Sequence, residues 1–288
     1  MSSSVRVAKR GAMTLRGTTF AWGTRTFVMG IVNATPDSFS GDGRVDPSDA
    51  IERGCLLLDA GADLLDIGAE STRPGHTPID ASEERRRLLP VVRGLRDARP
   101  ATVLSIDTYK PDVFAEAFEN GADLLNSIWG FDDALLACAV AHDVPIVVMH
   151  NRHEPGTGDV VDEVLESLER QAERAVRAGI APDRVIVDPG IGFGKTPDQN
   201  LALLAALDRL VSLGFPTLLG TSRKSTIGKL TGRDPGERTY GTAATVALAI
   251  AAGIDIIRVH DVAAMTDVVR VSDAIVRGWR PRTWLEKP

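Results

Sequence analysis

The chain has little cysteine. Only Cys55 and Cys138 occur in 288 residues. Each lies in an apolar, helix-like stretch, and the reading finds no cysteine or histidine neighbour at ligand spacing. A disulfide framework and a structural zinc site are therefore not expected, and a reducing, cytoplasmic setting is. Long hydrophobic runs are also missing. The longest, residues 245–257, is interrupted by Gly253 and Asp255 and is too short to cross a bilayer, so no membrane contact is expected. Arg6, Lys9 and Arg10 are not followed by an apolar segment. Residues 1–13 thus read as a flexible tail, not a secretion signal. Nor is there an excess of positive charge. Lys and Arg total 33 against 39 Asp and Glu, a net charge of −6, which argues against a nucleic-acid partner yet leaves room for a local cationic pocket. With 43% hydrophobic and 25% charged residues, disorder and coiled coil are set aside.

What the chain does have is alternation. Short aliphatic runs recur at residues 26–32, 64–67, 102–106, 124–126, 145–149, 184–187, 217–219 and 256–259. Stretches of helical periodicity stand between them, at 51–60, 83–96, 111–120, 135–142, 161–178, 200–213, 242–252 and 262–276. Apolar runs without alternation suit parallel strands covered on both faces. A weak repeat points the same way. Gly61-Ala62-Asp63-Leu64 returns as Gly121-Ala122-Asp123-Leu124 and, more loosely, as Gly253-Ile254-Asp255-Ile256. Each copy reads as a helix-ending glycine, an Asp and a strand. The first two copies lie about 60 residues apart, two β-α units, so the roughly 240 residues from Thr26 onward hold about eight units, the count of a single α/β (β/α)8 TIM barrel. Residues 14–22, with Arg16-Gly17 at the turn, read as an N-terminal β-hairpin closing the barrel floor. An open doubly wound sheet is the alternative. The polar strand ends favour the barrel: Asn33, Asp66, Asp107, Asn126, His150, Asp188, Ser222 to Lys224, and Arg258 with His260. In a barrel these converge on one mouth.

Several of those ends carry motifs. Residues 29–43 read as a strand and a long polar loop, the form of an active-site lid. Glu70-Ser71-Thr72-Arg73-Pro74-Gly75 offers hydroxyls and a guanidinium, an anion clamp; for either segment a capped solvent loop is the plain alternative. Residues 188–196 imitate a phosphate-binding loop, but Pro189 stands where G-x-x-x-x-G-K-[ST] needs its first glycine. The better reading is a carboxylate, Asp188, beside a glycine loop that lets Phe193 approach a flat ligand. Arg223 and Lys224 are adjacent cations, expected to be held by converging carboxylates. Arg258 and His260 fall on one face by alternation and, with Asn33, form a credible diphosphate site. His76, His142 and His153 read as loop or surface residues. His150 and His153 are three apart, a spacing that invites a metal, but no third ligand stands near.

With Ser105-Ile106-Asp107-Thr108 and residues 241–262 added, six segments in order make the chain resemble the dihydropteroate synthases over residues 26–260. The resemblance implies one pterin-binding barrel domain over residues 14–288. It implies a transferase that joins a dihydropterin diphosphate to p-aminobenzoate. It further implies that Asp107, Asn126, Asp188 and Lys224 hold the pterin beside Phe193, with Asp188, Lys224 and Asp107 catalytic. Asn33, Arg73, Arg258 and His260 would take the diphosphate, with Mg²⁺ at Asn33. Thr72, Arg73 and Ser225 would line the p-aminobenzoate side. A homodimer through residues 266–276 and the helix from Thr242 is implied as well. Two departures stand out: Ser127-Ile128-Trp129 after the fourth strand, and Asn151-Arg152-His153 after the fifth. They are expected to be neighbours at the mouth and to compensate. Rival readings are a folate-to-corrinoid methyltransferase, which has no need of a diphosphate clamp, and a pterin-binding paralogue without synthase activity. A Schiff-base aldolase using Lys224 is disfavoured on the expectation that this amine stays charged beside acids.

Overall fold

The computed structural model describes residues 11–35, 46–70, 77–281 and 284. Strands β1 (Ala12–Leu15) and β2 (Thr18–Ala21) form an antiparallel hairpin. It begins earlier than the sequence suggests: Met13, assigned above to the tail, is buried. Then follow β3 (Phe27–Asn33), β4 (Leu64–Gly68), β5 (Val103–Asp107), β6 (Leu124–Ser127), β7 (Ile146–Met149), β8 (Val185–Asp188), β9 (Leu218–Leu219) and β10 (Ile256–Val259). All eight are parallel, in the order β8-β7-β6-β5-β4-β3-β10-β9, and a bridge between Val187 and Thr217 joins the two ends. This is the barrel, not the open sheet. Helices α1 (Pro47–Asp59), α2 (Ala81–Ala98), α3 (Pro111–Glu119), α4 (Asp133–Ala141) and α5 (Val160–Arg177) surround its first half. Around the second half lie α6 (Pro197–Ala205), α7 (Leu207–Val211), α8 (Ser225–Thr231), α9 (Thr239–Ala252) and α10 (Val262–Val276).

Two apolar cores follow from the strand pattern. Inward-facing Met29, Leu64, Val103, Leu124, Val147, Ile186, Leu218 and Ile256 fill the barrel, and Phe20 and Trp22 of the hairpin plug it from below. Residues of the opposite parity, such as Leu65, Leu104, Leu125 and Ile257, pack outward against the helices. Above this filled floor, at the upper end of the barrel, stand the strand-end polar groups.

The repeated glycine and aspartate explain how units join. Gly61, Gly121 and Gly253 all have left-handed backbone, with φ of 105°, 105° and 99°. The following Asp then reaches sideways to a neighbouring strand. Asp63 accepts from the Val28 N–H at 2.8 Å, Asp123 from Leu104 N–H at 2.9 Å, and Asp255 from Thr217 N–H at 2.9 Å. Helix starts are legible for a similar reason. Asp46, Asp80, Asp132 and Asp159 cap α1, α2, α4 and α5 with side-chain bonds to free backbone N–H groups.

The structure departs from the sequence reading in three places. The helix read at 200–213 is interrupted at Ala206 (φ −114°, ψ 25°), and both pieces bury leucines: Leu203, then Leu207 and Leu210. Helix α8 was not read at all; it has seven residues and an internal glycine, Gly228, against which Arg238 packs. Cys138 does have a histidine one turn away, with its Sγ 3.7 Å from His142 Nδ1. No group of three or more His, Cys, Asp or Glu able to hold a metal exists among the described residues. No helix among them is long and apolar enough to cross a membrane.

Candidate active site

Parallel register sets the upper rim. Asp66 is paired with Ser105, Asp107 with Asn126, and Met149 with Asp188, so their side chains point inward at successive heights. Asp107, Asn126, Asp188, Phe193, Lys224 and Arg258 surround one cleft, with Ile128, Met149 and Ile191 as its apolar wall. Small-molecule sites typically have this make-up, an apolar surface with a few convergent polar groups. Every residue expected to hold a flat heterocycle lines it.

At the bottom of the cleft lies a charged network that the sequence reading did not find. Asp66 is fully buried. It accepts from Ser105 Oγ at 2.6 Å, Arg258 Nε at 2.6 Å and Asn126 Nδ2 at 3.1 Å. Arg258 also reaches Asp107 at 3.2 Å. Burial disfavours the Arg258 cation, but the Asp66 and Asp107 carboxylates outweigh it and hold the guanidinium above its ordinary value. Arg258 thus lines the cleft with its guanidinium engaged by two acids. For Asp107 burial wins, helped by the Asp66 charge, and pushes the carboxyl up to about 7. Burial likewise raises Asp188, against a 2.7 Å hydrogen bond from the Gly190 N–H and the Lys224 charge.

The two adjacent cations separate because Arg223 takes a left-handed conformation, φ 59°. Such backbone in a non-glycine residue is a mark of functional sites. Arg223 turns outward to pair with Asp261, and Lys224 turns inward, its Nζ 3.9 Å from the centre of the Phe193 ring. Burial and the Arg258 charge pull Lys224 down to about 8. The amine is desolvated, yet at that value it stays mostly protonated near pH 7 beside Asp188 and Asp107, as expected. Ser225 follows it at the exposed start of α8.

His260 is brought close to Ser222. Its backbone N–H donates to Ser222 Oγ at 3.1 Å, and Nδ1 stands 3.0 Å from the same oxygen. These two contacts fix the ring against Ser222. Burial, with Arg258 and Arg223, lowers His260 to about 3. It is a neutral donor near pH 7, not a cation. Asn33 ends β3 half-buried. Thr72 and Arg73, and with them the clamp expected at 71–75, lie outside the described residues, as do His76 and the lid segment 36–43. Glu70, just before the clamp, receives the Tyr109 hydroxyl at 3.0 Å and Lys110 Nζ at 2.5 Å, and Lys110 also reaches Glu84 at 2.5 Å. The sequence reading gave these last three residues no role.

The loops after β7 and β8 are tied together. Lys195, the residue that imitates a phosphate-loop lysine, donates to the carbonyls of Gly190 at 2.9 Å, Phe193 at 3.0 Å and His150 at 3.3 Å. It is a backbone staple. Arg152 donates to the Gly194 carbonyl at 2.8 Å and to Glu163 at 2.5 Å. Trp129 and His153 are in contact, ring centres 4.6 Å apart, so the two expected neighbours do meet.

Comparison with known proteins agrees with this geometry. The family model described as pterin binding enzyme matches residues 29–260. A dihydropteroate synthase of Synechocystis sp. is 44% identical over 91% of this chain and 93% of its own length. The chain belongs to the dihydropteroate synthase family. Among solved family members, the Xanthomonas albilineans synthase with 4-aminobenzoic acid is 42% identical, TM-score 0.88, covering 94% of this chain and 99% of its own. The same synthase in complex with 7,8-dihydropteroate is 41% identical, TM-score 0.84, covering 94% of this chain and all, 100%, of its own. Family membership removes the aldolase reading.

Proposed function

We infer that the chain condenses (7,8-dihydropterin-6-yl)methyl diphosphate with p-aminobenzoate, giving 7,8-dihydropteroate and diphosphate. The observation that carries this reading is the convergence of Asp107, Asn126, Asp188, Phe193 and Lys224 on one cleft. Asp188 accepts from the 2-amino group and N3–H of the ring. Lys224 donates to the 4-oxo oxygen and N5. Asp107 and Asn126 take the remaining edge, and Phe193 covers a face.

The C–O bond between the methylene and the diphosphate breaks, and its electron pair leaves with the diphosphate. Positive charge spreads into the ring, where Asp188 and Asp107 oppose it. The arylamine nitrogen then attacks the methylene and loses a proton to solvent. No strong base is required, because an arylamine is already neutral near pH 7. Catalysis is positioning and charge stabilisation. His260 offers a neutral N–H to the diphosphate and Arg73 a guanidinium, and Thr72 and Ser225 are assigned to the p-aminobenzoate. For Mg²⁺, the Asn33 amide oxygen is a hard donor of the right kind, and this ion is commonly held by few protein groups plus substrate phosphates. When bound, the ion supplies charge neutralisation on the leaving diphosphate.

A homodimer through α9 and α10 belongs to the same reading, supported by exposed Tyr240, Leu248, Val271 and Ile275 on those helices. The deciding experiment is diphosphate release from the dihydropterin diphosphate with Mg²⁺, with and without p-aminobenzoate. Release should depend on p-aminobenzoate and fall by about a hundredfold or more in Asp188→Asn, against about tenfold or less in His260→Gln, which removes one neutral donor. Pterin binding without release would favour the non-catalytic paralogue.

A further inference from the structure

Asp66 is the most deeply placed charge in the cleft, yet it does not line it. Both of its oxygens are engaged: Oδ1 by Ser105, Oδ2 by Arg258 and Asn126. A carboxylate oxygen paired with a guanidinium accepts hydrogen bonds and does not donate them. The Asn126 atom 3.1 Å away must therefore be the amide nitrogen. The amide is thereby fixed one way round. Its oxygen accepts nothing from any described residue, and Asn126 forms part of the cleft wall.

That orientation has a chemical consequence. The ring edge opposite Asn126 and Asp107 carries N1 and N8. In a 7,8-dihydropterin, N8 bears a hydrogen and N1 a lone pair. In a fully oxidised pterin, both nitrogens present lone pairs. A fixed amide, oxygen toward N8 and its second N–H toward N1, complements the reduced ring and sets oxygen against a lone pair in the oxidised one. An amide free to flip could adapt to either. Buried polar sites discriminate most strongly when the wrong ligand leaves their groups unmatched.

We propose that Asp66 is a positioning residue that locks the Asn126 amide, so that the cleft selects the 7,8-dihydro ring over its oxidised counterpart. Asp66 touches no substrate atom; it acts through Asn126, with Arg258 holding it in place. The inference rests on the pterin reading of the cleft.

The test uses the full-length chain and two probes, 6-hydroxymethyl-7,8-dihydropterin and 6-hydroxymethylpterin, titrated anaerobically by calorimetry. The unaltered chain should bind the reduced ring at least about tenfold more tightly. Asp66→Ala removes the oxygen that receives both Arg258 and Asn126, so the amide is free to turn and the ratio should fall toward one. A general loosening of the site would weaken both probes and leave their ratio unchanged, which would overturn the proposal in a variant that melts cooperatively. Should Asp66→Ala not fold, Asn126→Ala decides: discrimination persisting without the amide overturns it, and discrimination lost supports it. Equal affinity of the unaltered chain for both rings also overturns it while leaving the pterin reading intact. Failure to bind either ring would overturn that reading and this inference together.

Discussion

Asp107 and Lys224 titrate toward one another across the cleft. Burial and the Asp66 charge push Asp107 up to about 7, and burial with Arg258 pulls Lys224 down to about 8. The proposed chemistry needs Asp107 ionised, to accept from the ring, and Lys224 protonated, to donate to it. The ionised fraction of Asp107 rises with pH through the first value; the protonated fraction of Lys224 falls through the second. A narrow bell in kcat/KM for the pterin substrate is expected, highest between 7 and 8. Asp188 is also raised by burial. Lys224→Arg should flatten the alkaline limb, since a guanidinium keeps its charge. A pH profile at saturating p-aminobenzoate checks this, and a level profile across both values would refute it. Much of this site was legible as polar residues at strand ends, because alternation alone aims Asp107, Asn126 and Asp188 inward. What could not be read was pairing. Asp66 stands at a strand end too, but its partners lie on three other strands, and alternation within one strand does not show such pairings.

At the scale of elements, the loops after β7 and β8 act as one piece. Gly194 has a φ of 57°, and a Cβ there would lie 1.9 Å from the Arg152 carbonyl oxygen; at Gly190, φ is 68° and the clash is 2.0 Å from the His150 carbonyl oxygen. Neither obstacle is the movable end of a side chain. Gly194→Ala should destabilise the fold by about 1–3 kcal/mol through backbone strain alone. It should also raise KM for the pterin, because Phe193 rides on the displaced loop. Denaturant unfolding and steady-state kinetics measure the two effects, and a variant unchanged in both would show that the loops are independent. The glycines were legible as a loop for a flat ligand, while the carbonyls they make room for were not, being 40 or so residues distant in sequence. Helix ends marked by glycine stops agree with the sequence to within a residue, whereas α1, read from 51, starts at Pro47 behind its Asp46 cap. Helix α8 was missed because seven residues with a glycine inside carry no readable period.

For the molecule as a whole, the internal repeat was the informative signal, since counting units gave a closed barrel before any strand pairing was known. The apolar outer face of α9 and α10 was not foreseeable from periodicity, because those helices are apolar on several sides. Ile275 is 78% exposed. Ile275→Arg should convert the proposed dimer to a monomer, with diphosphate release per chain retained; light scattering reads the mass directly, and an unchanged mass would move the interface elsewhere.

The barrel wall is uneven around its circumference. Strand β9 has two residues, and its link to β8 is the single bridge between Val187 and Thr217. Asp188 ends the strand on one side of that seam, and Lys224 follows the strand on the other. On the proposed reading, a ring held by both would span the thinnest stretch of the wall and act as a keystone, an added clasp across a seam that the chain itself joins lightly.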